Sequence, residues 1–204
     1  MSYHRSARQI YSVSVILGFL LIAAPPTSGQ SPQMIQSFTA TTANMATGNG
    51  ESVRINVLAW TSAADREKFV SAFKEKGEPR LLEAFKGSPS AGYVWTSETL
   101  GYTLRYAHRI ALPDGGERII LLTDRPLGSW SRTPLKAAGA DGQPSALTAL
   151  ELRLSRTGRG EGKMMSSAAA ITVDEEAQTL ALANYEKAPV LLKELVRLPE
   201  ARTR

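Results

Sequence analysis

Residues 102–124 read YTLRYAHRIALPDGGERIILLTD, and this stretch decides the fold. Its first part alternates apolar and polar side chains, with the period of two that is typical of a β-strand. The PDGG sequence at 113–116 is a strong hairpin turn, so residues 117–124 return as the partner strand. The four large aliphatic residues at 119–122 predict that the return strand is buried on both faces.

Further strands are expected on both sides of this hairpin. Residues 36–44 and 52–60 alternate in the same way and form a predicted hairpin around the ATGNG turn at 46–50. The remaining predicted strands are 91–96, 147–155, 163–173, 178–185 and 189–198.

Residues 62–87 interrupt the strands with a helical period of 3.6. Ser62 is a good N-cap, and Gly77 is a natural helix stop. Pro79 stands where a second helix would begin. These signals predict a helical hairpin that covers one sheet face or one barrel opening.

Together, the elements predict a mostly β protein of the α+β class: an antiparallel barrel or sandwich of about eight strands with one inserted helical hairpin. Residues 125–145 are expected to form the longest irregular segment. Residues 157–162 (TGRGEG) are expected to form a turn with glycines at positive φ. A phosphate-binding loop is a poor fit there, because strands flank the segment on both sides and Met164 follows the lysine.

The N-terminus predicts export. Residues 1–29 have the form of a secretory signal peptide, with Arg5 and Arg8 before the apolar run Val13–Ala24. Cleavage after Gly29 leaves residues 30–204 as a single β-rich domain with a loose tail at 199–204. An uncleaved anchor is the alternative, although the run has about half of the roughly 20 residues that span a bilayer. The expected location is periplasmic or secreted, with no integral membrane segment after cleavage.

Composition excludes several kinds of chemistry. The chain has no cysteine, and His108 is the only histidine beyond the predicted signal, so neither a thiol site nor a multi-histidine metal site is expected. The net charge is +5, but no basic patch with interleaved aromatic residues indicates nucleic-acid binding. No cofactor is predicted.

Five residues are the candidates for ligand binding, and none is assigned as catalytic. Strand parity places Tyr106 and His108 with Leu104 on the more apolar face of their strand, where His108 could contact a ligand at a barrel mouth. The alternative is a neutral core histidine bonded to a backbone carbonyl or to a tyrosine hydroxyl. Asp124 and Arg125 could hold a polar ligand, or they could form a structural ion pair. Trp60 is a candidate stacking surface for a sugar or peptide.

Trp95 and Trp130 are further stacking candidates, and each of the three tryptophans fits equally well as a core or sheet-edge residue. Carboxylates for hydrolysis are available at Glu98, Asp114, Glu151 and Glu161. Their spacing singles out no catalytic pair, and parity places Glu151 on the solvent side.

Several segments resemble a family of uncharacterised exported bacterial proteins. They are GYTLRYA at 101–107, PDGGERI at 113–119, TDRP at 123–126, GRGEGK at 158–163, NY at 184–185 and PV at 189–190. The resemblance covers roughly residues 36–198. This chain has Ala59-Trp60-Thr61 where the family is expected to have Arg-Trp-Ser. The resemblance implies an exported location and a bacterial source, and it implies no activity.

Two functions are consistent with these observations. The first is a non-enzymatic module that binds a small ligand, a glycan or an envelope protein. The alternative is a small periplasmic or secreted hydrolase that uses carboxylates or His108. A filled barrel interior would favour binding at the surface, whereas a hollow one would favour a small ligand inside.

Overall fold

The computed structural model describes residues 34–43, 50–96, 101–127, 147–166, 171–183 and 189–199. The predicted signal peptide, most of the predicted irregular segment 125–145, Trp130, Glu98 and the tail beyond residue 199 lie outside these residues, so the predictions made for them stay predictions. The described part of the chain contains one helix, a closed antiparallel barrel of eight strands and a separate two-stranded sheet. The prediction of a mostly β fold is confirmed. Of the two predicted architectures, the structure has the antiparallel barrel and not the sandwich.

The barrel strands follow one another around the barrel in chain order, and only β8 and β9 are left out, because they pair in the second sheet. Their order around the barrel is β1-β10-β7-β6-β5-β4-β3-β2, and the pairing of β1 with β2 closes it. The strands are β1 (Gln36–Ala43), β2 (Ser52–Val57), β3 (Gly92–Thr96), β4 (Tyr102–Ala111), β5 (Glu117–Thr123), β6 (Ala149–Leu154), β7 (Arg159–Met165) and β10 (Val190–Leu198). The second sheet pairs β8 (Ile171–Asp174) with β9 (Thr179–Leu182).

Side chains fill the barrel interior. Every barrel strand contributes buried apolar residues to one continuous cluster, and Phe38 and Ile55 are among its fully buried members. Trp60 packs against this cluster from the segment that follows β2. The interior is therefore a packed core.

The β4–β5 hairpin forms where the PDGG turn predicts it. Gly115 adopts a φ of +79°, which favours glycine, and the Asp114 carboxylate accepts a hydrogen bond from the backbone N–H of Gly116 at 2.8 Å. In β5, Leu121 faces the barrel interior and Leu122 packs on the outside, each almost fully buried. The predicted burial of this strand on both faces is confirmed.

A β-bulge in β4 changes which residues share a face. Leu104 pairs with Thr123, and Tyr106 pairs with Leu122, so one extra residue enters β4 between these pairs. Leu104 consequently belongs to the interior cluster, while Tyr106 packs on the outer surface of the barrel. The parity that grouped Leu104 with Tyr106 and His108 was wrong, because simple alternation does not survive an extra residue.

The helix α1 (Ala63–Lys86) folds back on itself. The Ser62 hydroxyl caps it by accepting from the Asp65 N–H, and the backbone leaves helical geometry at Lys76 and Gly77. The rings of Phe69 and Phe85 lie 4.9 Å apart in an edge-to-face contact. In a straight helix residues 69 and 85 would be about 24 Å apart, so α1 has two arms that meet as a helical hairpin.

The helical hairpin and the β8–β9 sheet cover the outer face of β4, β5 and β6. Phe69, Leu81 and Phe85 of α1 pack with Ile120 and Leu122 in a second apolar cluster. Leu180 and Leu182 of β9 join the same cluster. This cover completes the burial of β5. Among the described residues, no helix is long and apolar enough to span a membrane.

The strand boundaries differ most from prediction between residues 157 and 174. The predicted strand 163–173 is divided between two strands: its first residues belong to β7, and its last residues belong to β8. Gly158 has a φ of +75° in the turn, but Gly160 and Gly162 belong to β7 and do not have positive φ. A Cβ at Gly162 would lie 2.8 Å from the Glu151 carbonyl oxygen, so close approach of β6 explains this glycine better than turn geometry does.

Candidate functional site

Tyr106 and His108 lie between the barrel and its outer cover. The Tyr106 side chain is fully buried, and its hydroxyl forms a short hydrogen bond with the Thr179 hydroxyl of β9. Burial raises the pKa of Tyr106 above its usual value of 10.0. Because this hydroxyl links β4 to β9, Tyr106 holds the cover in place.

His108 is half-buried on the same outer face. Its ring centre lies 6.3 Å from that of Tyr106, and within the described residues its imidazole makes no hydrogen bond. The expected location at a barrel mouth was wrong, since the bulge turns His108 outward. Among the described residues, the imidazole bonds neither to a backbone carbonyl nor to a tyrosine hydroxyl, and the Tyr106 hydroxyl bonds to Thr179 instead. Burial, followed by the positive charge of Arg66, lowers the pKa of His108 below 6.5 and favours the neutral imidazole.

Asp124 and Arg125 follow the end of β5 and gather around Arg105 of β4. The Arg105 Nε donates to the Asp124 carboxylate at 2.7 Å, and its Nη1 donates to the Ser88 carbonyl oxygen at 2.9 Å. Asp124 also pairs with Arg125 at 3.4 Å. The exposed fraction of the side chain is 25% for Arg105 and 19% for Asp124, against 67% for Arg125. Arg105 is therefore held firmly at the surface, while Arg125 extends into solvent.

Trp60 lies in the segment that joins β2 to α1. The Thr61 side chain accepts a hydrogen bond from the Ala107 N–H at 2.9 Å, which fixes this segment against β4. The Arg109 guanidinium lies 5.3 Å from the centre of the Trp60 ring, a cation–π contact. Trp60 therefore has a structural contact as well, because part of its side chain packs against the apolar cluster of the barrel.

Two surface cavities flank Arg105, the one residue that lines both. The first has a volume of about 100 Å³, and its walls include Trp60, Phe69, Pro89 and Ser90. The second has a volume of about 350 Å³ and is lined by Leu82, Phe85, Lys86, Arg105, Asp124 and Arg125. We call the two cavities together the Arg105 cleft. It lies where the two arms of α1 begin and end, so the helical hairpin supplies much of its wall.

The larger cavity has an excess of positive charge. Lys86, Arg105 and Arg125 face one lining carboxylate, Asp124. Lys86 also pairs with Glu83, which lies outside the lining, and both of these side chains are more than half exposed. In the smaller cavity, Asp65 is engaged by the Ser62 hydroxyl at 2.8 Å.

The three other candidate carboxylates that the structure describes, Asp114, Glu151 and Glu161, are engaged in a turn or in ion pairs. Glu151 faces outward, as parity predicts, but the solvent-side location was wrong, because its side chain is only 6% exposed. It pairs with Arg118 at 3.1 Å and Arg153 at 2.9 Å, and Arg118 also contacts Asp174 of β8. Glu161 pairs with Lys193. Within the part of the chain that the structure describes, no group of His and acidic side chains could hold a metal ion.

Compared with known proteins, the chain matches no family model, no curated protein and no solved structure. The resemblance to a family of exported bacterial proteins therefore stays a prediction.

Of the five candidates, the structure brings Trp60, Asp124 and Arg125 to the Arg105 cleft. Tyr106 and His108 lie outside its lining. Sequence reasoning missed Arg105 and Lys86. A charged residue within the apolar 102–112 strand was the available signal for Arg105. Ordinary alternation after the inward-facing Leu104 turns Arg105 outward, but the sequence does not show that α1 and the end of β5 pack beside it.

Proposed function

We propose that this chain is an exported, non-enzymatic binding protein that engages its partner at the outer surface of the barrel. The observation that carries the proposal is the packed interior, which leaves the surface as the place for a ligand. The Arg105 cleft is the favoured site, since it combines cavities, aromatic walls and an excess of positive charge. The predicted signal peptide supports the exported location.

The alternative function, a small hydrolase, receives less support. A catalytic histidine needs a carboxylate or a hydroxyl within hydrogen-bonding reach, and His108 has neither among the described residues. The buried carboxylate of Glu151 is neutralised by two arginines. Glu151 and Arg118 are better explained as an ion-pair network that attaches Asp174 of β8 to the barrel.

Capture from envelope extracts of the source bacterium tests the binding function. The full chain is compared with Ala59→Trp, which places a large ring into the smaller cavity, and with Thr172→Trp, a matched change at an exposed site on β8. We expect a specific partner to be retained by the full chain, by Thr172→Trp and by His108→Ala, and to be lost by Ala59→Trp. Equal retention by all four proteins would contradict a role for the Arg105 cleft.

Two further readouts test export and catalysis. Mass spectrometry of the exported protein should find Gln30 at its N-terminus. Loss of a hydrolytic activity in a folded His108→Ala protein would favour the alternative function over the proposal.

A further inference from the structure

Arg105 has hydrogen-bonding capacity that the fold does not use. A guanidinium carries five N–H donors. One Nε donor and one Nη1 donor are used by Asp124 and Ser88, and no hydrogen bond within the described residues uses Nη2. The two existing bonds fix the plane of the guanidinium, and Arg105 lines both cavities, so the donors that the fold does not use are available to an acceptor in the cleft.

The charge around Arg105 selects an anionic acceptor. In the lining of the larger cavity, Asp124 is the one carboxylate beside three cations, and it is shared between Arg105 and Arg125. Asp65 lines the smaller cavity, and Glu83 pairs with Lys86 from outside the lining. A carboxylate matches the planar donor pattern of arginine and would also be attracted by Lys86 and Arg125. A neutral amide would gain the hydrogen bond without this attraction.

The apolar walls of the cleft indicate which ligand side chains would flank a carboxylate bound at Arg105. Trp60 and Pro89 line the cavity on one side of Arg105, and Leu82 lines the cavity on the other. Phe69 and Phe85 lie behind these walls, because each is only 1% exposed. An extended peptide places the side chains of residues i−2, i and i+2 on one face, about 6.6–6.8 Å apart. An acidic residue with apolar residues two positions before and after it therefore fits this arrangement.

We propose that the Arg105 cleft binds an extended segment of a partner protein, with an Asp or Glu side chain at Arg105 and apolar side chains at the i−2 and i+2 positions. This inference rests on the proposed binding function and gives it a ligand class. The aromatic and proline walls contact the apolar side chains, and Lys86 and Arg125 attract the carboxylate.

Fluorescence anisotropy with two labelled peptides tests the inference. The probes are Phe-Ser-Glu-Ser-Leu, blocked at both ends, and the same peptide with Gln in place of Glu. Since a hydrogen bond to a charged group contributes more than a neutral one, we expect the Glu peptide to bind about tenfold more tightly. Higher salt should reduce this difference.

Two double variants separate local from general electrostatics. Lys86→Ala/Arg125→Ala removes the exposed cations of the cleft, and Arg54→Ala/Arg159→Ala removes two exposed cations from β2 and β7. We expect the first to weaken binding of the Glu peptide about threefold to tenfold and the second by less than about twofold, since exposed pairs contribute modestly. Arg105 itself is left intact, because its bonds to Asp124 and Ser88 contribute to folding.

The outcomes distinguish this inference from the proposed function. Equal affinity for the two peptides, no binding of either, or equal weakening by both double variants would overturn the peptide inference. If Ala59→Trp still abolished partner capture, the binding function would stand with a different ligand chemistry. If Ala59→Trp had no effect on capture, the assignment of function to this cleft would fail as well.

Discussion

Leu121→Ala and Leu122→Ala form a matched pair that tests the burial of β5 on both faces. The two side chains are 0% and 1% exposed but belong to different cores. Leu121 pairs in register with Ala107 and Leu150 inside the barrel, whereas Leu122 pairs with Tyr106 and Ala149 beneath the outer cover. If only one face of β5 were covered, only one of the two substitutions would strongly lower the free energy of unfolding.

The expected cost follows from the burial. Removing three carbon groups at about 0.8 kcal/mol each loses about 2.4 kcal/mol of transfer free energy. The unfilled cavity adds to this loss, so each variant should lower the free energy of unfolding by about 2–5 kcal/mol. Ile35→Ala is the control, because Ile35 is 39% exposed and its truncation should cost less than about 1 kcal/mol.

Urea denaturation followed by circular dichroism measures these differences, and hydrogen exchange separates the two cores. Leu121→Ala should speed exchange throughout the barrel, while Leu122→Ala should speed it first in α1 and β9, whose apolar residues pack in the outer cluster. A cost below about 1 kcal/mol for Leu122→Ala, with unchanged exchange in α1, would refute the assignment of α1 as the cover of β5.

Two further predictions concern His108 and Gly158. Because the folded state keeps the pKa of His108 below 6.5, its neutral form stabilises the fold above pH 6.5, and this contribution is lost as the pH falls from 6.5 through the folded pKa. Denaturation between pH 8 and 5 should therefore show a fall in stability that is smaller in His108→Gln, and parallel profiles would contradict the assignment. Gly158→Ala places a side chain at a φ of +75° and should cost about 1–2 kcal/mol. Gly87→Ala, which meets no atom within 4 Å, should change the melting temperature little; equal effects of the two substitutions would count against the Gly158 turn geometry.

The local sequence determined the elements of this protein. The PDGG turn, the aliphatic run at 119–122 and the capping and stop signals at Ser62 and Gly77 act through backbone geometry and the burial of neighbouring side chains. They therefore predicted the central hairpin, the two-armed helix and the mostly β class. The absence of cysteine likewise excluded thiol chemistry without any knowledge of the fold.

Only the tertiary structure decided how these elements close and which side chains meet. Pairing of β1 with β10 joins residues about 160 positions apart, such as Ser37 and Leu198, and no local pattern specifies that partner. One extra residue in β4 turned Tyr106 and His108 outward, because each added residue in a strand reverses the faces that follow it. The Arg105 cleft arises in the same way, since the folded-back helix, the bulged strand and the end of β5 become neighbours only when the outer cover packs on the barrel.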